Sequence, residues 1–273
     1  QGADHSGNGW GELAFPLFFQ SPLRIYCHYK CYSGRLELSH MRGFYGMLVD
    51  VDAFSEERNP ATRYTNTGAY FSATGFTRPA QEYAWARGIW LFPLEQTHML
   101  LPALALIRGY VRDRAEDLLL ASRESLLASF RIYQKQMVFH NQNDFSPSAT
   151  IAMLDGSYPV LLCGTGSWLE ELAAALLPGE EEAVAQDVQV YGDECESRFR
   201  FTIAGCSLEF CLPGVALEKL ERRGDRQTAS GFSLTIPHRA PAGGWHFMTF
   251  RLPVLAWEQT HLSLAKEKGG PKG

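Results

Sequence analysis

The sequence predicts an α/β fold in the first part of the chain, a sheet flanked by helices, followed by a strand-rich α+β domain. Two observations predict it. Residues 68–92 read as strand, helix, strand with short joins, a βαβ unit whose strands are parallel. From residue 188 onward, short β-branched and aromatic runs follow one another between turn residues. The 273 residues suffice for one large domain or two ordinary ones, and 45% hydrophobic residues are ample material for a core.

Residues 1–11, QGADHSGNGWG, are glycine-rich and polar and read as loop. Residues 12–15, ELAF, begin a strand that Pro16 stops, and an apolar connection runs to Pro22. Residues 25–30, IYCHYK, read as the next strand. A turn follows over 31–35. Ser39 is the expected N-cap of a helix whose apolar stripe is Met41, Phe44, Tyr45, Leu48 and Val49. Gly43 and Gly46 lower its propensity, and glycine there suits close packing on a sheet. Residues 52–67 are polar, contain Asn59-Pro60 and read as loop.

Residues 68–74 are the second strand of the sheet. Thr77 is the expected N-cap of a short helix over 79–87, with Pro79 in its first turn and Gly88 at its end. Residues 89–92 are the third strand. Residues 98–111 and 113–138 read as helices, the second with a broad apolar face. A linker is expected over 139–150, then a strand over 158–163, a turn at Gly164-Thr165-Gly166-Ser167 and a helix over 168–177. An acidic run at 180–182 opens the next segment. Strands are expected at 188–191, 199–203, 208–212, 232–236 and 247–252. The expected organisation is a first domain over 1–112, a connecting helix over 113–138, the α+β domain over 139–265 and a disordered tail over 266–273.

The net charge of −5 argues against a chain generally coated in nucleic acid. The charge is uneven: residues 1–112 carry ten Lys/Arg against nine Asp/Glu, and residues 113–273 carry fifteen against twenty-one. The first part is therefore the better candidate for meeting a polyanion. Apolar runs fall far short of the about 18 residues of a membrane span, and no signal peptide is visible. Residue 1 is Gln, so either a leader was removed or the chain is a piece of something longer. The six cysteines form no C-x-x-C pair; three disulfides are formally possible, but reduced thiols and a cytoplasmic location are expected.

Chemistry centres on the 25–30 strand. Side chains alternate faces with period 2, so Ile25, Cys27 and Tyr29 share one face and Tyr26, His28 and Lys30 the other. The second set is either a solvated face or a site.

Four features, in order, carry a resemblance to a known family. They are the loop at 7–13, GNGWGEL; the strand ending His28-Tyr29-Lys30; the segment MRGFYGML at 41–48; and YFSATGFTRPAQEYA at 70–84 with GIWLF at 88–92. Together they resemble Mrr-type restriction endonucleases of the PD-(D/E)xK nuclease superfamily, over about a third of the chain. The last match, to a "GFT-x-x-A-x-x-x-A" helix and a "GI-x-L" strand, is the most specific. The resemblance implies a restriction-endonuclease-like mixed sheet flanked by helices. It also implies Glu12, His28 and Lys30 as catalytic residues, Glu12 and His28 as metal ligands, and Mg²⁺ or Mn²⁺ as cofactor. In such chemistry a metal polarises the phosphate and activates water, and a lysine stabilises charge.

The chain departs from the family at these positions. Glu12 stands where the family has Asp, and His28 stands where it has Glu or Gln; imidazole suits softer metals than Mg²⁺. Lys30 is unchanged. The family's preceding helix, which often supplies another Glu, has no counterpart ahead of residue 7, where Asp4 is a possible substitute.

Three functions follow as expectations. The first is metal-dependent hydrolysis of DNA, in defence against foreign DNA. The second is a catalytically inert nuclease-fold subunit that binds DNA or a protein partner, or forms a homo-oligomer through its second domain. The third is nucleotide binding at Gly164–Gly166, where helix N-terminal amides suit anions but the glycine pattern is incomplete and Glu170 and Glu171 repel phosphate. Ser157 and Ser167 lack a G-x-S-x-G elbow. Cys195, Cys206 and Cys211 are metal ligands or, more simply, core thiols.

Overall fold

The computed structural model describes residues 9–12, 23–58, 65–94, 97–101, 147–175, 183–192, 195–223, 231–239 and 245–253, with residues 105, 109, 110, 125 and 128. The expectations for Asp4, the 16–22 connection, most of the 113–138 helix, the acidic run at 180–182 and the tail lie outside the described residues.

Two sheets organise the fold, and the molecule is α/β with mixed strand directions. The first has four strands in chain order: β1 (Gly9–Glu12), β2 (Leu23–Lys30), β3 (Thr65–Ser72) and β4 (Trp90–Pro93). β1 is antiparallel to β2, whereas β2, β3 and β4 are parallel. The parallel pairs are joined by α1 (Leu38–Arg58) and α2 (Arg78–Ala86), as parallel strands require a crossover. Both helices bury their apolar stripes against the same core: Met41, Phe44 and Leu48 from α1, Ala80 and Ala84 from α2, Tyr70 from β3 and Leu91 from β4.

Local chemistry sets the element ends. Thr77 occupies the expected N-cap of α2 in extended backbone, φ −69° and ψ 153°, with Pro79 in the first turn. Its hydroxyl donates to Leu36 O at 3.2 Å instead of capping the helix. α1 begins at Leu38, one residue ahead of the expected cap Ser39, and runs to Arg58, through much of the expected 52–67 loop. The segment from 52 to 58 holds helix-forming Ala, Glu and Arg, and the residue before Pro60 is where proline disfavours helical backbone. The close helix–sheet approach is made at Gly68 of β3, where an added Cβ would lie 2.5 Å from Phe44 and 2.7 Å from Leu48. Gly43 and Gly46, expected to serve that purpose, face open space. β1 is a strand where a glycine loop was expected. Backbone pairing needs no side chains, and Trp10 sits opposite Tyr26 with the Arg24 guanidinium 5.1 Å from its ring.

The second sheet has eight strands: β5 (Pro147–Leu154), β6 (Tyr158–Thr165), β7 (Ala183–Val184), β8 (Gln186–Gly192), β9 (Glu196–Ile203), β10 (Cys206–Pro213), β11 (Phe232–Arg239) and β12 (Trp245–Leu252). Their order is β7-β12-β11-β5-β6-β10-β9-β8. All neighbours are antiparallel except β12 and β7. α3 (Trp168–Ala175) and α4 (Gly214–Arg223) accompany it. β5 occupies part of the expected linker, and α4 lies in a stretch expected to be mostly strand. A second core gathers Leu162, Trp168, Phe199, Phe201, Leu208, Phe210, Leu234 and Phe250.

Buried polar groups join the two sheets. The backbone N–H of Phe76 donates to Glu196 Oε1 at 2.9 Å, and Glu196 is 1% exposed. Gln81 of α2 donates to Cys195 O at 2.7 Å and accepts from the Val215 N–H at 3.1 Å. The Met99 N–H donates to Glu209 Oε1 at 3.2 Å. Trp85 of α2 stacks on Tyr158 of β6 with centroids 5.7 Å apart. On the surface, Arg78 pairs with Glu218 of α4 through two bonds of 2.8 and 2.9 Å.

Candidate functional site

β2 carries His28 and Lys30 and runs in register with β3: His28 pairs Tyr70, and Lys30 pairs Ser72. The expected alternation holds, but both faces are half-buried and only Tyr29 is exposed. The His28 side chain packs against Phe44 of α1, centroids 5.5 Å apart, and edge-on to Tyr70 at 4.9 Å. The Tyr26–His28–Lys30 face therefore lies under α1, while Tyr29, assigned to the apolar face, is 60% exposed. α1 covers this face because Phe44 and Leu48 reach the sheet over Gly68.

Lys30 ends β2, and the chain turns through residues 31–37 into α1. This turn is tied to the one that follows β3. The Leu36 N–H donates to Gly75 O at 2.9 Å, the Thr77 N–H to Leu36 O at 2.9 Å, and Thr74 Oγ1 to Gly34 O at 2.6 Å. Tyr32 is thereby placed near both Lys30 and His40. Lys30 Nζ lies 5.8 Å from the Tyr32 ring centroid, and the His40 ring lies 5.3 Å from it. His40, in the first turn of α1, was missed from the sequence. A histidine just ahead of an apolar stripe carries no signal until the strand before it is folded beneath it.

Electrostatics follow from this packing. The His28 imidazole is held below its ordinary value, first by burial and then by Lys30 and His40. Among the described residues, no carboxylate contributes to that shift. Burial pushes the Tyr70 phenol up to about 12, with Tyr32 adding to the shift. Nδ1 of His28 and Nδ1 of His40 are both buried with no hydrogen-bond partner among the described residues.

Glu12 does not join this group. It pairs Arg24, whereas Gly9 pairs Cys27, so β1 runs away from His28. Glu12 shares the face of His28 but sits four residues along β2, roughly 13 Å at strand rise. The backbone register alone therefore sets Glu12 well apart from His28 along the sheet. The groups gathered near His28 are a second imidazole and a lysine, a nitrogen set that a hard cation, which prefers oxygen ligands, does not favour. The described residues hold no group of three His, Cys, Asp or Glu able to take a metal. The described side chains around His28 therefore do not fit the metal that the resemblance implies.

The other candidates have structural explanations. Gly164 lies where a Cβ would come 2.4 Å from the Trp168 ring, and Gly166 takes φ +64° in the turn. Ser167 Oγ donates to Glu171 Oε1 at 2.7 Å, closing the first turn of α3 on itself. An open cleft of about 340 Å³ beside it is lined by Trp168, Leu169 and Glu170, apolar and acidic. Cys206 and Cys211 are buried, Cys195 is half-buried, and all six cysteines are free thiols. Burial raises both the Cys206 and Cys211 thiols, which favours the neutral form over a metal-binding thiolate. Among the described residues no helix is long and apolar enough to cross a membrane.

Comparison with protein-family models, with curated proteins and with solved structures finds no match for this chain.

Proposed function

We propose that this chain is a restriction-endonuclease-like module that engages DNA without cutting it through the Glu12, His28 and Lys30 metal route. The observation that carries the reading is the β1–β2 register, which sets Glu12 opposite Arg24 and away from His28. Support for the fold assignment comes from the antiparallel β1–β2 pair followed by β2-α1-β3-α2-β4 in one mixed sheet, the arrangement that the resemblance leads one to expect. Support for DNA as partner comes from Lys30 at the end of β2, in the less acidic part of the chain.

The test is a pair of assays on the full chain. Plasmid is incubated with Mg²⁺ and with Mn²⁺, and duplex binding is followed across a salt series. Binding that weakens with salt, without strand cleavage in either metal, is the expected result. Cleavage abolished by Lys30→Ala would restore metal-dependent hydrolysis and require a carboxylate from elsewhere. Absence of DNA binding would turn the reading to a protein-interaction subunit.

A further inference from the structure

The two ends of the larger sheet are one stretch of chain. β7 and β8 stand at opposite ends of the strand order, yet Ala185 alone separates them in sequence. Laid flat, eight strands at about 4.8 Å spacing would put the end strands roughly 33 Å apart. Val184 and Gln186 are two residues apart and span at most about 7 Å. Both conditions hold only if the sheet curls until its ends meet. Residues 183–192 are then one bent strand, which pairs β12 at its start and β9 along the rest. The side chains agree: Ala185 and Val190 of the bent strand share a single core with Leu162, Phe210, Leu234 and Phe250 from across the sheet, so the interior is packed.

The two halves of the bent strand are held unequally. Toward β9 the ladder is antiparallel and pairs five residues, from Gln186 with Thr202 to Gly192 with Ser197. Val190, within it, is 3% exposed. Toward β12 the ladder is parallel and pairs two residues, Ala183 with Phe250 and Val184 with Arg251. One further bond supports it, from the Ala185 N–H to Arg251 O at 2.9 Å. Val184 is 53% exposed. Between the halves the register shifts from Gln186 to Gln189, and Asp187 takes φ +50°, a region that side-chain-bearing residues seldom adopt. A short parallel ladder beside a bulge is the weakest join in the ring.

We infer that residues 183–192 are a strap that closes the second sheet into a barrel, and that the barrel opens at the β7–β12 clasp while β8 stays on β9. Opening frees the backbone of Phe250 and Arg251 on the side that β7 covers. The irregular stretch from Ala185 to Gln189 is the hinge. The device is independent of whether the chain engages DNA.

Amide hydrogen exchange of the full chain, resolved by residue, tests both parts. The Ala185 N–H is expected to exchange at least about tenfold more slowly than in an unstructured peptide, because its bond to Arg251 needs the closed ring. It is expected to exchange at least about tenfold faster than the amides shared by β9 and β10, which wait for global unfolding. The pair Val184→Cys and Arg251→Cys, at register partners, is expected to form a disulfide on oxidation, mapped by mass spectrometry. The disulfide should slow Ala185 about tenfold or more, and reduction should reverse it.

An Ala185 amide without protection, or introduced cysteines that do not link in a folded variant, shows that the ends do not meet and overturns the closure. An Ala185 amide that exchanges in step with the β9–β10 ladder, or at a rate the disulfide leaves unchanged, overturns opening at the clasp. The wild-type rates alone decide both parts if the cysteine variant does not fold.

Discussion

The carboxyl group of Glu196, at the start of β9, accepts the backbone N–H of Phe76 at 2.9 Å, in the loop that follows β3 of the first sheet and 120 residues away. The bond lies beside Gly75, whose φ of +83° and absent side chain let the carboxyl approach. Phe76 is bridged in turn to Leu36, which ends the turn that carries Tyr32. The second sheet thus braces the loop on which the candidate site is built.

Removal of that brace is expected to be costly. Glu196→Ala leaves the Phe76 N–H buried without its partner, a loss of about 1–3 kcal/mol in chemical denaturation. Glu196→Gln keeps an acceptor oxygen and should recover most of it. Equal losses for the two variants would show that the hydrogen bond is not what holds the turn.

Gly75→Ala is expected to destabilise by more than about 1 kcal/mol, because alanine is strained at positive φ and its Cβ would lie 1.9 Å from Glu196 Oε1. The clash and the strain separate in a double-mutant cycle. Gly75→Ala in the Glu196→Ala background should cost less than in the wild type, with a coupling of about 0.5 kcal/mol or more. Strict additivity would place the whole effect in the backbone.

His28 predicts a pH dependence. Its folded titration point lies below the unfolded one, so the unfolded chain takes the proton first as pH falls. The stability that neutral His28 contributes is present above its unfolded value of about 6.5 and is lost as pH drops through the folded value. The groups facing it are Lys30 on its own strand, His40 on α1 and Tyr70 on β3, with Tyr32 acting on Tyr70. In His28→Phe, which keeps a ring between Phe44 and Tyr70, denaturation midpoints between pH 5 and 7 should fall less steeply than in the wild type. An unchanged slope would assign the titration elsewhere.

Much of the local structure could be read from residue types, and little of the site could. The α2 unit was legible because Thr77, Pro79 and Gly88 each act over a few residues, and the parallel β3–β4 pair follows from the short helical join. β1 was not legible: its strand character comes from pairing with β2, and two of its four residues are glycine. β5 was hidden because Pro147 and Ser148 read as turn residues; the strand exists through its pairing with β6 and, near Leu154, with β11. α1 was read too short because the polar residues past 51 were taken as loop. For the site, residue order pointed to Glu12 and His28 together, but convergence depends on hairpin register, which a long connection leaves free. His40 became visible only once α1 was laid over β2.

Trp168 is the most informative core position of the second sheet. It is 1% exposed and packs where Gly164 leaves room. Trp168→Ala should cost about 3–5 kcal/mol in denaturation. A loss under about 1 kcal/mol would mean that α3 is not part of the cooperative unit.

The strand order of the larger sheet also sets a schedule for synthesis. β5 and β6 can pair as soon as both are made, but β5 takes its second neighbour from β11, about 80 residues later along the chain. Until then its outer edge presents open backbone donors and acceptors to any strand nearby. A chain in which β6 is complete and β11 is not yet made carries that edge exposed, and such an edge is prone to pair with a second copy of itself.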